Sequence, residues 1–404
     1  VSTSELARRD PYAELDFVGR ASELEGLSRL VGEVAQHRTS RSLWLTGEAG
    51  IGKTRLLGEL ERRLGPEVRF LRLEEQGYDL SAVWRRLVEG LLGWEGGADP
   101  RGWGPALERE LAEVLPNDPR GARQILVSLG LAEGKSWARP ERRAVDRSLV
   151  AWRDLILAVL ARERRAQRTR AFVLVAEGSS PESPFGGLFT LLEGAGAPVL
   201  SVRVSRSRSP DDEPRLHLAP LSFQESLALV GQVANPILKV ATESLVLQVG
   251  GIPSNILELG RALSITPQGS FSGSLASLLQ ARLDMLPSAA RQLLAVAAIC
   301  GEQSWEALVL NVAESREDDL LQRLLNETLL LKSGLSQIPG HSELHFQSEL
   351  VRRAVLRMIP FSERPALHLA VASWLERHAP LGLSQLIAHH FKEGGSSEAA
   401  YPHY

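Results

Sequence analysis

Residues 47–54 read Gly-Glu-Ala-Gly-Ile-Gly-Lys-Thr, a complete G-x-x-x-x-G-K-[ST] pattern. Each fixed type answers a need of a polyphosphate. Gly47, Gly50 and Gly52 let the main chain wrap a phosphate tail with its N–H groups inward, and a following helix presents the positive end of its dipole. Lys53 offers a compact ammonium to the β- and γ-phosphates, and the Thr54 hydroxyl offers one coordination site to Mg2+. Glu48, Ala49 and Ile51 complete the candidate loop. Only five of the 46 basic residues are lysine, and one of them stands at 53. Hydrolysis of a bound triphosphate asks for more: an acid at the end of a neighbouring strand, often followed by a second that orients water. The apolar run Phe172–Ala176 ends in Glu177, one acid placed one residue late, with alanine at 176. Glu177 either polarises a water or is the first exposed residue of a loop, and the residues leave both open. Slow or absent turnover is the expectation.

A strand must feed this loop and a helix must leave it. Ser42–Thr46 is a short apolar run ending at Gly47, and Lys53–Leu64 puts Leu56, Leu57, Leu60 and Leu64 on one helical face. Val68–Leu73 alternates, and Ala171–Ala176 and Val199–Val204 read as parallel strands covered on both faces. Leu216–Leu218 adds a short one. Ahead of the loop, Leu24, Leu27, Leu30, Val31 and Val34 predict a helix, with Ser22 and Glu25 as its capping box. Residues 79–165 predict several helices interrupted by glycine and proline. Beyond residue 220 the chain reads as helical: Ser222 and Glu225 form another capping box, and Gly250–Pro253 separates two helices. A hairpin, Thr328–Ser333 with Glu343–Phe346, set among helices suggests a winged-helix domain.

At 404 residues, 44% hydrophobic and 24% charged, the chain is long enough for several packed domains. A net charge of −3 gives no general attraction to nucleic acid or anionic lipid. The single cysteine, Cys300, excludes an internal disulfide and a cysteine-based zinc site. No apolar run approaches the roughly 20 residues that cross a bilayer, and the polar start Val1–Leu15 lacks the apolar core of a secretory leader. The cytoplasm is the expected location. His389 and His390, adjacent on a helix, point apart and read as structural. Trp44, Trp94, Trp152, Trp305 and Trp374 read as core residues.

Phe17-Val18-Gly19-Arg20 with Glu23-Leu24, followed by the loop, resembles the signal-transduction ATPases with numerous domains (STAND) of the origin-recognition-like AAA type. These occur in large bacterial regulators, some joined to nucleotide cyclases, protein kinases or DNA-binding domains. Leu216–Leu221, Gly250–Leu259, Leu278–Pro287 and His345–Val351 continue the similarity in order. The reading is then an α/β P-loop NTPase core with a parallel sheet, followed by an all-α lid, a winged-helix domain and the start of a helical repeat. Its expected bounds are a linker at 1–15, the core at 16–220, the lid at 221–280, the winged helix at 281–378 and tetratricopeptide-like repeats from 379 to 404.

The resemblance implies that Val18, Gly19 and Arg20 lie against adenine and ribose, and that the turn ending at Pro253 sits over the nucleotide. Arg206 stands where the family often has a γ-phosphate sensor, although Arg203, Arg206 and Arg208 alternate with serine as a solvated edge would. Two departures bear on chemistry. Relatives pair acids where this chain has Ala176-Glu177, and they carry histidine where it has Ser348. ATP or ADP with Mg2+ is the implied ligand of a conformational switch with weak or absent hydrolysis. Protein partners, fused effector domains and a nucleotide-dependent oligomer follow from the same resemblance. The alternatives are a hydrolysis-dead interaction scaffold and a DNA-binding regulator. The segment Arg316–Thr328, with four acids to two bases, opposes the last.

Overall fold

Alternation along five parallel strands decides which helices lie on which face of the main sheet. The computed structural model describes residues 14–74, 80–93, 103–132, 142–177, 184–205, 213–233, 239–265, 275–301, 303–314, 318–333, 336, 338, 340–379 and 383–403. In chain order the first part comprises α1 (Ala21–His37), β1 (Arg41–Thr46), α2 (Lys53–Leu64), β2 (Val68–Glu74), α3 (Leu80–Leu92), α4 (Trp103–Val114), α5 (Pro119–Ser128), α6 (Arg142–Arg165), β3 (Ala171–Glu177), α7 (Pro184–Glu193), β4 (Val199–Ser205) and β5 (Arg215–His217). The strands run in the order β2-β3-β4-β1-β5, each parallel to its neighbours. Leu43, Leu45, Val173, Val175 and Val202 meet Leu24, Leu27 and Val31 of α1 and Leu56, Leu57 and Leu60 of α2 on one face. Leu71, Leu73, Phe172, Leu174 and Ala176 meet α3 to α7 on the other. Period two in the strands and period 3.6 in the helices thus put one core on each side.

The glycine-rich loop joins the C-terminal end of β1 to α2, where ligands bind in open parallel sheets. This is a P-loop NTPase core.

The second part comprises α8 (Phe223–Gly231), α9 (Lys239–Gln248), α10 (Pro253–Ile265), α11 (Leu275–Asp284), α12 (Ser288–Cys300), β6 (Gln303–Trp305), α13 (Glu306–Val312), α14 (Asp318–Asn326), β7 (Leu330–Ser333), β8 (Glu343–Phe346), α15 (Glu349–Met358), α16 (Arg364–His378), α17 (Ser384–Glu393) and α18 (Ser397–Ala400). One contiguous core, from Leu221 to Ala400, unites them. The expected hairpin is β7 with β8, antiparallel, and β6 adds a third strand on the far side of β8. Its three residues, Gln303-Ser304-Trp305, are too few to show a period. Among the described residues no helix is long and apolar enough to cross a membrane.

Two expectations need correction. Helix α1 begins at Ala21 with Arg20 as its N-cap in the left-handed region (φ 62°), and no side chain caps it. The Ser22 hydroxyl instead donates to Glu23 at 2.7 Å, because the left-handed Gly19-Arg20 turn starts the helix before Ser22 reaches the cap position. The second capping box forms as expected: Ser222 accepts from the Glu225 amide, and the Glu225 carboxylate accepts from the Ser222 amide at 2.8 Å. The Ser222 hydroxyl, donating to the Glu225 carboxylate at 2.7 Å, and the Ser222 amide hold that carboxyl below the usual range. The other correction concerns Arg203. It is buried on β4, not part of a solvated edge, with its guanidinium over the rings of Trp44 and Phe189 and paired with Glu213 at 2.7 Å. Trp44, Trp152, Trp305 and Trp374 are buried as expected. Trp94, Arg206, Arg208, Arg316, Glu317 and residues 1–13 and 178–183 lie outside the described residues.

Candidate functional site

Gly47, Gly50 and Gly52 have φ of 149°, 75° and 99°, so the loop turns where side chains other than hydrogen are disfavoured. Ile51 is buried beneath the loop and ties it to the α1–α2 core, while Glu48, Ala49 and Gly50 are exposed. The loop is therefore anchored at its middle and open at its crest. Lys53, the first residue of α2, donates from Nζ to the carbonyls of Gly47 (2.6 Å) and Glu48 (2.9 Å). The ammonium thus stands at the loop's mouth, bracing its backbone.

Glu177 closes β3. Because Val173 and Val175 face α2, the next odd residue does too, and the Thr54 hydroxyl donates to Glu177 Oε2 at 3.4 Å. The acid that falls one residue late in the sequence is thus the one turned toward Thr54, whereas Ala176 is packed in the core of the opposite face. A hydroxyl and a carboxylate oxygen side by side form a hard-oxygen donor set that suits Mg2+ completed by phosphate oxygens and water. The residues present fit that ion.

A third partner was missed by sequence reasoning. Arg72 of β2 lies with Nη1 3.7 Å from Glu177 Oε1 and Nη2 3.0 Å from Glu61 Oε2 of α2. The available signal was a basic residue on the buried face of an alternating strand, beside a loop that handles charge.

The helical second part reaches the loop directly. The Ser254 amide, in the first turn of α10, donates to the Gly50 carbonyl at 3.1 Å. A Cβ on Gly50 would stand 1.9 Å from Ser254 Oγ, and one on Gly52 would meet Pro253 Cγ at 3.9 Å. Gly251 permits this approach: its carbonyl accepts from the Leu221 amide at 2.8 Å, and a Cβ there would collide with the Leu221 carbonyl at 2.4 Å. Asn255 lies next in the chain, and the Ser348 hydroxyl donates to its Oδ1 at 3.5 Å. Ser254 and Asn255 were not singled out from the sequence, although the glycine pair before them marks a close approach.

Val18, Gly19 and Arg20 lie beside the start of the helical second part. Val18 packs on the second core, and a Cβ on Gly19 would meet the Glu225 carboxylate. Arg20 pairs with Glu23 at 3.2 Å and donates to the Ala219 carbonyl. The Leu15 carbonyl accepts from Arg55 Nη2 at 2.7 Å, which ties this segment to the first turn of α2. The structure thus gathers the loop, Glu177, Pro253 and the 18–20 segment around one end of the sheet. His390 is buried with its Nδ1 2.9 Å from that of His368. Among the described residues no group of three or more histidine, cysteine or acidic side chains is arranged to hold a metal.

Residues 16–180 match the AAA ATPase domain family. No curated protein matches the sequence. Among solved structures the chain is similar to a signal transduction ATPase with numerous domains carrying a tetratricopeptide repeat sensor from Pyrococcus horikoshii, at 14% identity and a TM-score of 0.48, over 96% of this chain and 49% of that one. The chain therefore spans about half the length of that structure. It is also similar to Drosophila ORC bound to DNA (14% identity, TM-score 0.42, 85% of this chain and 88% of that one). A Walker-type ATPase from Pyrococcus abyssi is a third (12%, 0.35, 84% and 96%). The matched stretch contains the loop Gly47–Thr54, Arg72 and Glu177, whereas Pro253 and Ser254, which meet the loop, lie beyond it.

Proposed function

We propose that this chain is the nucleotide-binding regulatory module of a bacterial STAND-type signalling protein. It takes ADP or ATP with Mg2+ and works as a conformational switch with weak or absent hydrolysis. The observation that carries the reading is the complete phosphate loop at the end of β1 with the lid's first turn bonded to its crest through Ser254 and Gly50. A ligand seated there touches both halves of the chain, so its binding energy acts on how they close.

In this reading the loop amides and Lys53 hold the phosphates, and Val18, Gly19, Arg20 and Pro253 enclose the base and sugar. Thr54 and Glu177 are the residues that hold Mg2+. When bound, the ion supplies charge neutralisation across the phosphates. Glu177 is then engaged beside Thr54, and β3 carries no second acid to orient water, which supports slow or absent turnover. Arg206 remains a proposed γ-phosphate sensor. Residues 281–378 are proposed as a winged-helix domain and 379–404 as the start of tetratricopeptide-like repeats, with protein partners or fused effectors as outputs.

Calorimetric titration of ADP, ATP and GTP, followed by single-turnover phosphate release, tests this. Binding of ADP and ATP with little or no release supports a switch. Absence of heat with all three nucleotides at millimolar concentration overturns it.

A further inference from the structure

Arg72 occupies a position that an apolar residue would fill more simply. Val68, Phe70 and Arg72 are successive residues on the α2 side of β2, and the first two pack in that face's core. A guanidinium placed there is desolvated, its side chain 13% exposed, so it requires anionic partners. It has two from different elements: Glu61 of α2 at 3.0 Å and Glu177 of β3 at 3.7 Å. Gly58 of α2 lies beside the guanidinium, where a Cβ would be in ordinary contact with Arg72 Nη2 at 3.9 Å. The other carboxylate oxygen of Glu177 is the one that accepts from Thr54. One carboxylate therefore faces a protein cation on one side and the Mg2+ ligand hydroxyl on the other.

We infer that Arg72 is a built-in counter-cation for Glu177 that weakens the Mg2+ requirement of nucleotide binding at this loop. The inference rests on the reading that the loop holds nucleotide. Its logic is a charge count. Glu61, Arg72 and Glu177 together carry −1; removing the Arg72 charge leaves −2, and removing the Glu61 charge leaves 0. A divalent cation responds to those two changes in opposite directions, because the attraction scales with the local charge. Arg72 is here a positioning residue: it acts on Mg2+ through Glu177 and touches no phosphate.

The test measures ADP affinity by calorimetry with Mg2+ and with EDTA in the full chain, for wild type, Arg72→Gln, Arg72→Lys, Glu61→Gln and Lys53→Ala. Mn2+ bound in the presence of ADP is read in parallel by electron paramagnetic resonance, and thermal melting confirms that each variant is folded. In wild type the Mg2+/EDTA affinity ratio is expected below about threefold, rising to about tenfold or more in Arg72→Gln, a change of at least about threefold, or about 0.7 kcal/mol. Arg72→Lys restores the wild-type ratio, and Glu61→Gln lowers both the ratio and Mn2+ occupancy. Equal ratios in wild type and Arg72→Gln overturn the inference while leaving the nucleotide reading intact. ADP binding in EDTA that is lost in Lys53→Ala upholds that reading separately. No ADP binding under either condition overturns both.

Discussion

Lys53 has two sets of partners to choose between. Its Nζ donates to the carbonyls of Gly47 and Glu48, so the loop is braced by the same ammonium that phosphate would recruit. A hydrogen bond to a charged group contributes about 1.5–3 kcal/mol, so Lys53→Ala is expected to weaken ADP binding by about 10- to 100-fold in calorimetry. Gly50 is constrained differently, by φ of 75° and by Ser254. Gly50→Ala is expected to destabilise the fold by about 1–3 kcal/mol in urea unfolding. Adding Ser254→Gly should recover the steric part and leave the backbone strain; full recovery would show that strain contributes nothing. The loop was legible in the sequence because its mechanism is local, eight consecutive residues acting together. Arg72 was not, because its partners Glu61 and Glu177 come beside it only through the register of β2 on β3 and the packing of α2.

Elements in the second half are joined by charges as well as apolar surface. Glu258 of α10 is fully buried and paired with Arg282 of α11, whose Nη2 also donates to the Glu327 carbonyl just after α14, at 2.9 Å. Burial, opposed by Arg282, pushes the Glu258 carboxyl up. Arg282→Met strands that carboxylate and is expected to cost about 3–5 kcal/mol in urea unfolding, whereas adding Glu258→Leu should restore most of it. The helices themselves follow from their apolar periods, but Glu258, within Ile256-Leu257-Glu258-Leu259, reads as an ordinary polar-face residue until α11 is laid against it. His390 poses a similar problem at the contact of α17 with α16. Burial, reinforced by the His368 and His389 rings, pulls its imidazole down to about 3, while an unfolded histidine titrates near 6.5. Between those values the unfolded chain takes the proton and the folded one does not. Stability should therefore fall as pH drops from about 6.5 toward 3, by about 1.4 kcal/mol per unit from this group. His390→Gln should flatten that slope relative to wild type in pH-dependent urea titrations; parallel curves would remove His390 as its cause.

At the scale of the whole molecule the chain has a sheet core at its start and a helical core after residue 220, and their contacts converge beside the phosphate loop. Ser254 meets Gly50, Glu225 lies against Gly19, and Asp16 and Gln232 exchange two hydrogen bonds. A parallel core and a helical remainder could be read from strand runs and capping boxes. The docking of one on the other could not, since it rests on pairs far apart in the chain, Gly50 with Ser254, Gly19 with Glu225 and Asp16 with Gln232. This arrangement predicts how ligand energy spreads. ADP at 100 times its Kd stabilises the folded state by about 2.7 kcal/mol, and a switch requires that part of this reach the lid. Amide exchange should therefore slow on adding ADP both at Ile51–Leu56 and at Ser254–Ile256, where the Ser254 amide reports the bond to Gly50. Lys53→Ala should abolish both effects together. Slowing confined to the loop would mean that the nucleotide is held by the sheet core alone, and the lid would then be a cover with no part in signalling.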